Sequence, residues 1–212
     1  MNTTITNITA EEIRDSRNNP TLQVSVHIGD IVGTFQVPSG ASTGTYEACE
    51  LRDDTSGKDG MAHALEKIRN SIAPTLIGMD AHNQSRIDTT LITLDGTEQK
   101  TNLGGNSMIG VSIACAKAAA RALGMEVYAY LRTCATIRPS HENMKPWLYF
   151  NLINGGKHAA SKLAFQEYHI VPDCGSVADN LACAKAVYEE LGKIIEKDFP
   201  GTTLGDEGGY AL

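Results

Sequence analysis

The sequence predicts an α+β domain at the amino terminus, followed by the opening part of a separate α/β unit. Three observations carry this reading. Apolar residues alternate over 21–37, as in a β-hairpin, and the hydrophobic period then lengthens to that of helices over 61–123. After a polar stretch, nearly continuous apolar runs of strand length begin. Strands followed by helices, rather than alternating with them, make an α+β domain. Buried strands joined to helices are the material of a barrel or an open α/β sheet. Of 212 residues, 42% are hydrophobic and 20% charged, too apolar for disorder and without an apolar run that could span a bilayer.

Residues 5–13 read as a weak strand that ends in the turn-rich Asp15-Ser16-Arg17-Asn18-Asn19-Pro20. Leu22, Val24, Val26 and Ile28 then alternate with polar residues, Gly29-Asp30 turns the chain, and Ile31, Gly33, Phe35 and Val37 alternate again. That is a hairpin with one wet face. Met61, Leu65, Ile68 and Ile72 follow helical spacing, and Pro74 is expected to stop that helix. A second helix fits 84–94, with Asn83 as N-cap and Gly96 beyond its end. A third, over 107–123, is rich in alanine and closes at Gly124. The small side chains of Ala114 to Ala120 let it approach a neighbour closely.

A polar stretch with Pro139, Ser140 and His141 reads as a linker. The expected organisation is therefore an α+β domain over 1–133, a linker over 134–146, and a partial α/β unit over 147–212. In that unit, 147–153 and 163–171 read as strands, 177–197 as an amphipathic helix, and 202–207 as a third strand. A complete (β/α)₈ barrel takes about 250 residues. The second unit is expected to be incomplete.

Twenty-five acidic and 18 basic residues leave a net charge of −7, which argues against a nucleic-acid partner. Cys49, Cys115, Cys134, Cys174 and Cys183 are odd in number and show no C-x-x-C pair, so reduced thiols are expected rather than disulfides or zinc. The start, Met1-Asn2-Thr3-Thr4-Ile5, has neither the basic nor the apolar region of a signal peptide, and the sequons at Asn2, Asn7 and Asn83 read as chance matches. A cytoplasmic protein is expected.

Four stretches can carry chemistry. Ser39-Gly40-Ala41-Ser42-Thr43-Gly44 follows a strand and is small enough for its backbone to approach a ligand, though alone it also reads as a surface turn. Asn154-Gly155-Gly156-Lys157-His158 follows the first buried strand, where barrel enzymes hold catalytic groups; His158 alone could equally be structural. Gln166-Glu167 lies in the second strand, and alternation puts the two on opposite faces unless the strand is kinked. A carboxylate there needs a partner or a metal, or else the strand is a wet edge. Asp206-Glu207-Gly208-Gly209 offers two acids before paired glycines, suited to a cation or substrate and equally to an acidic surface turn.

With Asp15-Ser16-Arg17-x-Asn19-Pro20 and Leu103-Gly104-Gly105-Asn106-Ser107-Met108-Ile109-Gly110-Val111-Ser112, these stretches resemble the enolase family in sequence and in order, over nearly the whole chain. The resemblance implies an α+β domain leading into a TIM-like barrel. It also implies a glycolytic lyase interconverting 2-phosphoglycerate and phosphoenolpyruvate with two Mg²⁺ ions. Carried over by position, Glu207 protonates the departing hydroxyl, Glu167 positions it or helps to protonate it, and His158, Gln166 and Ala41 contact the substrate. Ser39 ligates the second Mg²⁺ when its loop closes. Asn18 stands where the family usually has glycine, and Lys157 replaces a small residue, adding charge near a phosphate site. Family members are longer, and the acidic ligands of the first Mg²⁺ and the lysine base have no matching positions here. The implied partners are a second chain completing the barrel, a homodimer, or both. The competing expectation is a non-catalytic remnant that acts as a binding or regulatory module.

Overall fold

The computed structural model describes residues 2–40, 44–53, 60–135, 146–160, 162–205 and 207–212. They fall into two compact units, Met1–Arg138 and Pro139–Leu212. Most of the expected linker, 136–145, lies outside the described residues.

In the first unit, β1 (Asn7–Arg14), β2 (Pro20–Ile28) and β3 (Ile31–Gln36) form an antiparallel sheet in chain order. Leu22, Val24 and Val26 are completely buried on one face of β2, as alternation requires, and Gly29 turns the hairpin at φ 57. Against that face lies α4 (Gly105–Ala122), a buried helix. A Cβ on Gly33 would stand 2.2 Å from the Ala118 amide nitrogen and 2.3 Å from the Ala114 carbonyl oxygen. Here strand and helix touch backbone to backbone. The small residues expected to permit close packing do so against β3, and only glycine fits opposite them.

The remaining helices close the core. α1 (Ala62–Lys67), a π-turn (Ile68–Ile72) and α2 (Ala73–Leu76) follow one another without a break. The free N–H groups at the head of α1 are satisfied from a distance: Asp53 accepts from Ala62 and His63, and Glu12 accepts from Met61. Pro74 does not stop this helix, contrary to expectation. It occupies the first turn of α2, where a missing N–H is tolerated, directly after a π-turn that closes with the Ala73 amide donating to the Ile68 carbonyl. α3 (Gln84–Asp95) has the expected caps, with the Asn83 side chain accepting from the Arg86 amide and Gly96 left-handed at its end. α5 (Val127–Cys134) was not foreseen. It is short and buries only Tyr130, although Val127, Tyr130, Leu131 and Cys134 recur at helical spacing and could have revealed it.

Asp95, almost wholly buried, organises the loop into α4. Its carboxylate accepts from the Thr97 amide and hydroxyl and from the amides of Asn102 and Leu103. Burial pushes this carboxyl up, but the hydrogen bonds from Thr97, Leu103 and Asn102 together outweigh it and hold it below the ordinary aspartate range.

In the second unit, β4 (Phe150–Asn154) pairs with β5 (Glu167–Ile170) in antiparallel fashion and with β7 (Tyr210–Ala211) in parallel. β6 (Thr203–Leu204) closes the edge, so the sheet order is β5-β4-β7-β6. A long helix, α6 (Val177–Asp198), connects β5 to β6, with Ser176 capping its first turn. The third expected strand, 202–207, is only Thr203–Leu204; the chain turns back at 205–209, and the following β7 is the strand that joins β4. Gly205 and Gly209, joined by a 2.8 Å backbone bond, allow that reversal. Likewise the expected strand 163–171 is ordered as a strand only from Glu167.

The units differ sharply in core. Among the described residues the second buries, besides Asn154, Pro172 and two glycines, only Leu152, Ala184 and Ile195, while Trp147, Phe165, Leu181, Ile194 and Leu204 each stay more than half exposed. Among the described residues no single helix is long and apolar enough to cross a membrane.

Two outcomes are expected. Gly33→Ala should destabilise the first unit by about 3 kcal/mol or more, at or beyond the upper end of ordinary overpacking, because backbone rather than a side-chain tip must yield; a urea midpoint within error of wild type would contradict this contact. The stabilisation from Asp95 is present above the carboxyl's unfolded pKa of about 3.9 and is lost as pH falls through its lower folded value. Asp95→Asn should therefore flatten the loss of stability that wild type shows below about pH 4.

Candidate active site

The second unit gathers three of the expected residues around the imidazole of a fourth. β4 ends at Asn154, and Gly155 and Gly156 fold the chain back so that His158 returns beside the strand. A Cβ at Gly155 would meet the Phe165 carbonyl at 2.3 Å, and Gly156 sits at φ 53 against Gln166. Backbone bonds from Gly155 to the Gln166 carbonyl and from Gly156 to the Leu163 carbonyl lock the loop in place. The two glycines are therefore required by close approach.

His158 is mostly buried, its side chain 11% exposed. Its Nε2 lies 2.8 Å from the Gln166 amide nitrogen. Its Nδ1 is buried and makes no hydrogen bond, but faces Glu167 Oε1 at 3.3 Å and Glu207 Oε2 at 3.5 Å. Each acid is held from behind: His169 Nε2 meets Glu167 Oε2 at 2.7 Å, and Asn151 donates to Glu207 Oε2 at 3.1 Å. The ligand-capable atoms of His158, Glu167 and Glu207 all lie within 4.8 Å of one another. One nitrogen thus stands between two partly exposed carboxylates, an arrangement suited to holding and passing protons.

Gln166 and Glu167 do not take opposite faces, because Gln166 precedes the strand and the β4–β5 register shifts between Asn151 and Ile153. Both therefore reach the same ring, one at each nitrogen. Glu207 sits in the turn between β6 and β7, beside Gly208 at φ 79.

In the first unit, Ser39 follows β3 and is held at both polar ends. Arg17 donates to its carbonyl at 2.7 Å, and Arg52 donates to its hydroxyl at 3.1 Å. That hydroxyl also lies 3.3 and 3.4 Å from the two Glu50 oxygens. Arg17 is presented by a turn in which Asp15 accepts from the Arg17 and Asn19 amides, with Asn18 at φ 64 as expected for a residue replacing glycine. A cleft of about 360 Å³ borders Ser39, lined by Arg14, Asp15, Thr21 and Gln36 among others. Ala41, Asp206 and the Lys157 side chain lie outside the described residues.

Sequence reasoning passed over the supporting residues. His169 is two positions from Glu167 on one strand, hence on the same face, and Asn151 and Asn154 interrupt an otherwise apolar run. Asn154 is fully buried with both amide atoms unpaired, and packs so tightly that a Cβ on Gly209 would come within 2.3 Å of its oxygen. Glu50 and Arg52, two apart in the sequence, carry no local signal of a role.

An α+β unit followed by the first strands and helix of a TIM-type barrel, with a histidine and two acids at the strand ends, defines a two-domain barrel protein. Residues 5–131 match the family model of the enolase N-terminal domain, and residues 142–212 match that of the enolase C-terminal TIM barrel domain. The chain belongs to the enolase family. It is 45% identical to the enolase of Methanopyrus kandleri and 46% identical to that of Thermococcus kodakarensis, each over 98% of this chain. The alignments cover 48% of each relative, so the chain spans about half the length of the curated relatives it matches.

An amide nitrogen only donates, so His158 Nε2 must accept from Gln166, and the proton of the neutral ring belongs on Nδ1, between the acids. Imidazole ¹⁵N spectra should show the Nδ1–H tautomer for His158; an Nε2–H ring would contradict the arrangement.

Proposed function

We propose that this chain supplies the amino-terminal domain and first barrel elements of an enolase-type hydro-lyase, interconverting 2-phosphoglycerate and phosphoenolpyruvate. The observation that carries the reading is the convergence of Gln166, Glu167 and Glu207 on His158 in a chain of this family. Dehydration removes a proton beside a carboxylate and expels a hydroxide. The hydroxide is a poor leaving group unless it takes up a proton as the C–O bond breaks. Glu207, at the open side of the cluster and 48% exposed, is the donor to that oxygen, which departs as water. Glu167, fixed from behind by His169, orients the same hydroxyl. His158 and Gln166 bind the substrate, and the family resemblance gives Ala41 a substrate contact as well.

Magnesium takes six oxygen ligands in a near-regular octahedron. His158, Glu167 and Glu207 offer a nitrogen and two carboxylates already engaged by His169 and Asn151, which does not fit a Mg²⁺ cage. Ser39 fits as a single oxygen ligand. In the enolase superfamily generally, the metal stabilises the ene-diolate and a lysine or histidine takes the α-proton. The acidic ligands and the base that the family resemblance implies have no counterparts among these 212 residues. A second chain carrying the remaining strands would supply them and would cover Trp147, Phe165 and Leu204, which are open on the second unit. The cytoplasm is the compartment in which this chemistry is expected. No feature among the described residues favours the non-catalytic reading.

The purified chain alone should show no conversion of 2-phosphoglycerate, followed by enol absorbance with excess Mg²⁺. When the rest of the barrel is supplied, Glu207→Gln should lower dehydration by roughly 10²–10⁴-fold, the usual worth of a positioned acid. Exchange of the α-proton with solvent should persist. Loss of both together would assign Glu207 to substrate positioning instead.

A further inference from the structure

We propose that Glu50 and Arg52 are positioning residues that hold the Ser39 hydroxyl and govern when it becomes available. This rests on the reading of Ser39 as a ligand at the phosphate end of the site, and it adds the two residues that control it. The Arg52 guanidinium is nearly buried, its side chain 12% exposed. Its contacts with three described residues fix its orientation. Nη1 reaches the Pro20 carbonyl at the head of β2 at 2.9 Å, Nε reaches Glu50 Oε2 at 2.9 Å, and Nη2 is shared between Glu50 Oε2 at 2.8 Å and Ser39 Oγ at 3.1 Å. The guanidinium is thus fixed to the sheet at one end and presents a rigid fork to Glu50 and Ser39 at the other.

The consequence is chemical. Ser39 Oγ accepts from a guanidinium while its own proton faces the Glu50 carboxylate. The guanidinium charge beside this oxygen opposes the approach of a second cation, so Arg52 must shift before Ser39 can ligate a metal, while the longer bonds to Glu50 are the weaker ones. Arg17 also donates to the Ser39 carbonyl, so this bond and the hydroxyl clamp together restrain the segment.

The test is ¹⁵N relaxation of the whole 212-residue chain without metal, with the order parameters of Ser39 and Gly40 as readout. Wild type should be rigid there, near 0.85, and Arg52→Gln should bring both below about 0.6. Arg52→Lys, which keeps the charge and one donor, should recover part of the loss. Ser39→Ala should loosen Gly40 as much as Arg52→Gln does, and the double variant should loosen it no further. A general structural role would loosen Val37 and Leu51 as well; the positioning role leaves them unchanged. If Arg52→Gln fails to fold for want of the Pro20 contact, Glu50→Gln, which keeps that contact, reads the same property. Unchanged order parameters in Glu50→Gln, or additive loosening in the double variant, would overturn the proposal. The two readings fail separately: Ser39→Ala with an unaltered Mg²⁺ requirement in the reconstituted enzyme would remove the ligand role and leave the clamp intact.

Discussion

Contact between the backbone of β3 and that of α4, made possible by Gly33 opposite Ala114 and Ala118, is the constraint on which the first unit depends. It fixes the strand that delivers Ser39, because β3 runs directly into Val37, itself tied to the Leu22 carbonyl. The same helix fixes the other arm of the loop. At its first turn, the Asn106 side chain accepts from the Leu51 amide and donates to the Leu51 carbonyl, between Glu50 and Arg52. Gly104 and Gly105 press against Leu51 and Ala48 with no room for a side chain. One helix thus sets both ends of the segment that holds Ser39, and Asp95 sets the start of that helix.

The second unit uses a different device. His158, Glu167 and Glu207 are far apart in the sequence, and they meet because β4 is central, with β5 on one side and β7 on the other. Each flanking strand brings one acid to the loop that follows β4. The imidazole nitrogen between them makes no hydrogen bond, so neither carboxylate is tied to it, although His169 holds one and Asn151 the other.

Much of this was legible in the sequence. The alternation of Leu22, Val24, Val26 and Ile28, the Asn83 and Gly96 caps, and the alanine run of α4 each state a local preference that the fold obeys. Where expectation and structure part, a non-local effect is responsible. Pro74 breaks helices by local rules, yet the π-turn lets this one continue. The strand expected over 202–207 turns back on a glycine pair whose need arises from Asn154, some fifty positions earlier. The Glu50–Arg52 pair has no local signature at all, since its meaning comes from Ser39 and Pro20 in three dimensions.

The π-turn also settles a problem of winding. The buried residues Ala64, Ile68, Ile72 and Leu76 recur every fourth position. An α-helix advances about 100° per residue, so four residues overshoot a full circle by about 40°. Over three such steps an apolar stripe would slew about a third of the way round the helix and face water. Five underwound residues in the middle absorb part of that excess and keep the stripe in register with the sheet. Removing one residue between Ile68 and Ile72 would restore ordinary pitch and leave Leu76 only about 20° from the line of Ala64, so the π-turn is what lets the helix carry one residue more than its stripe requires.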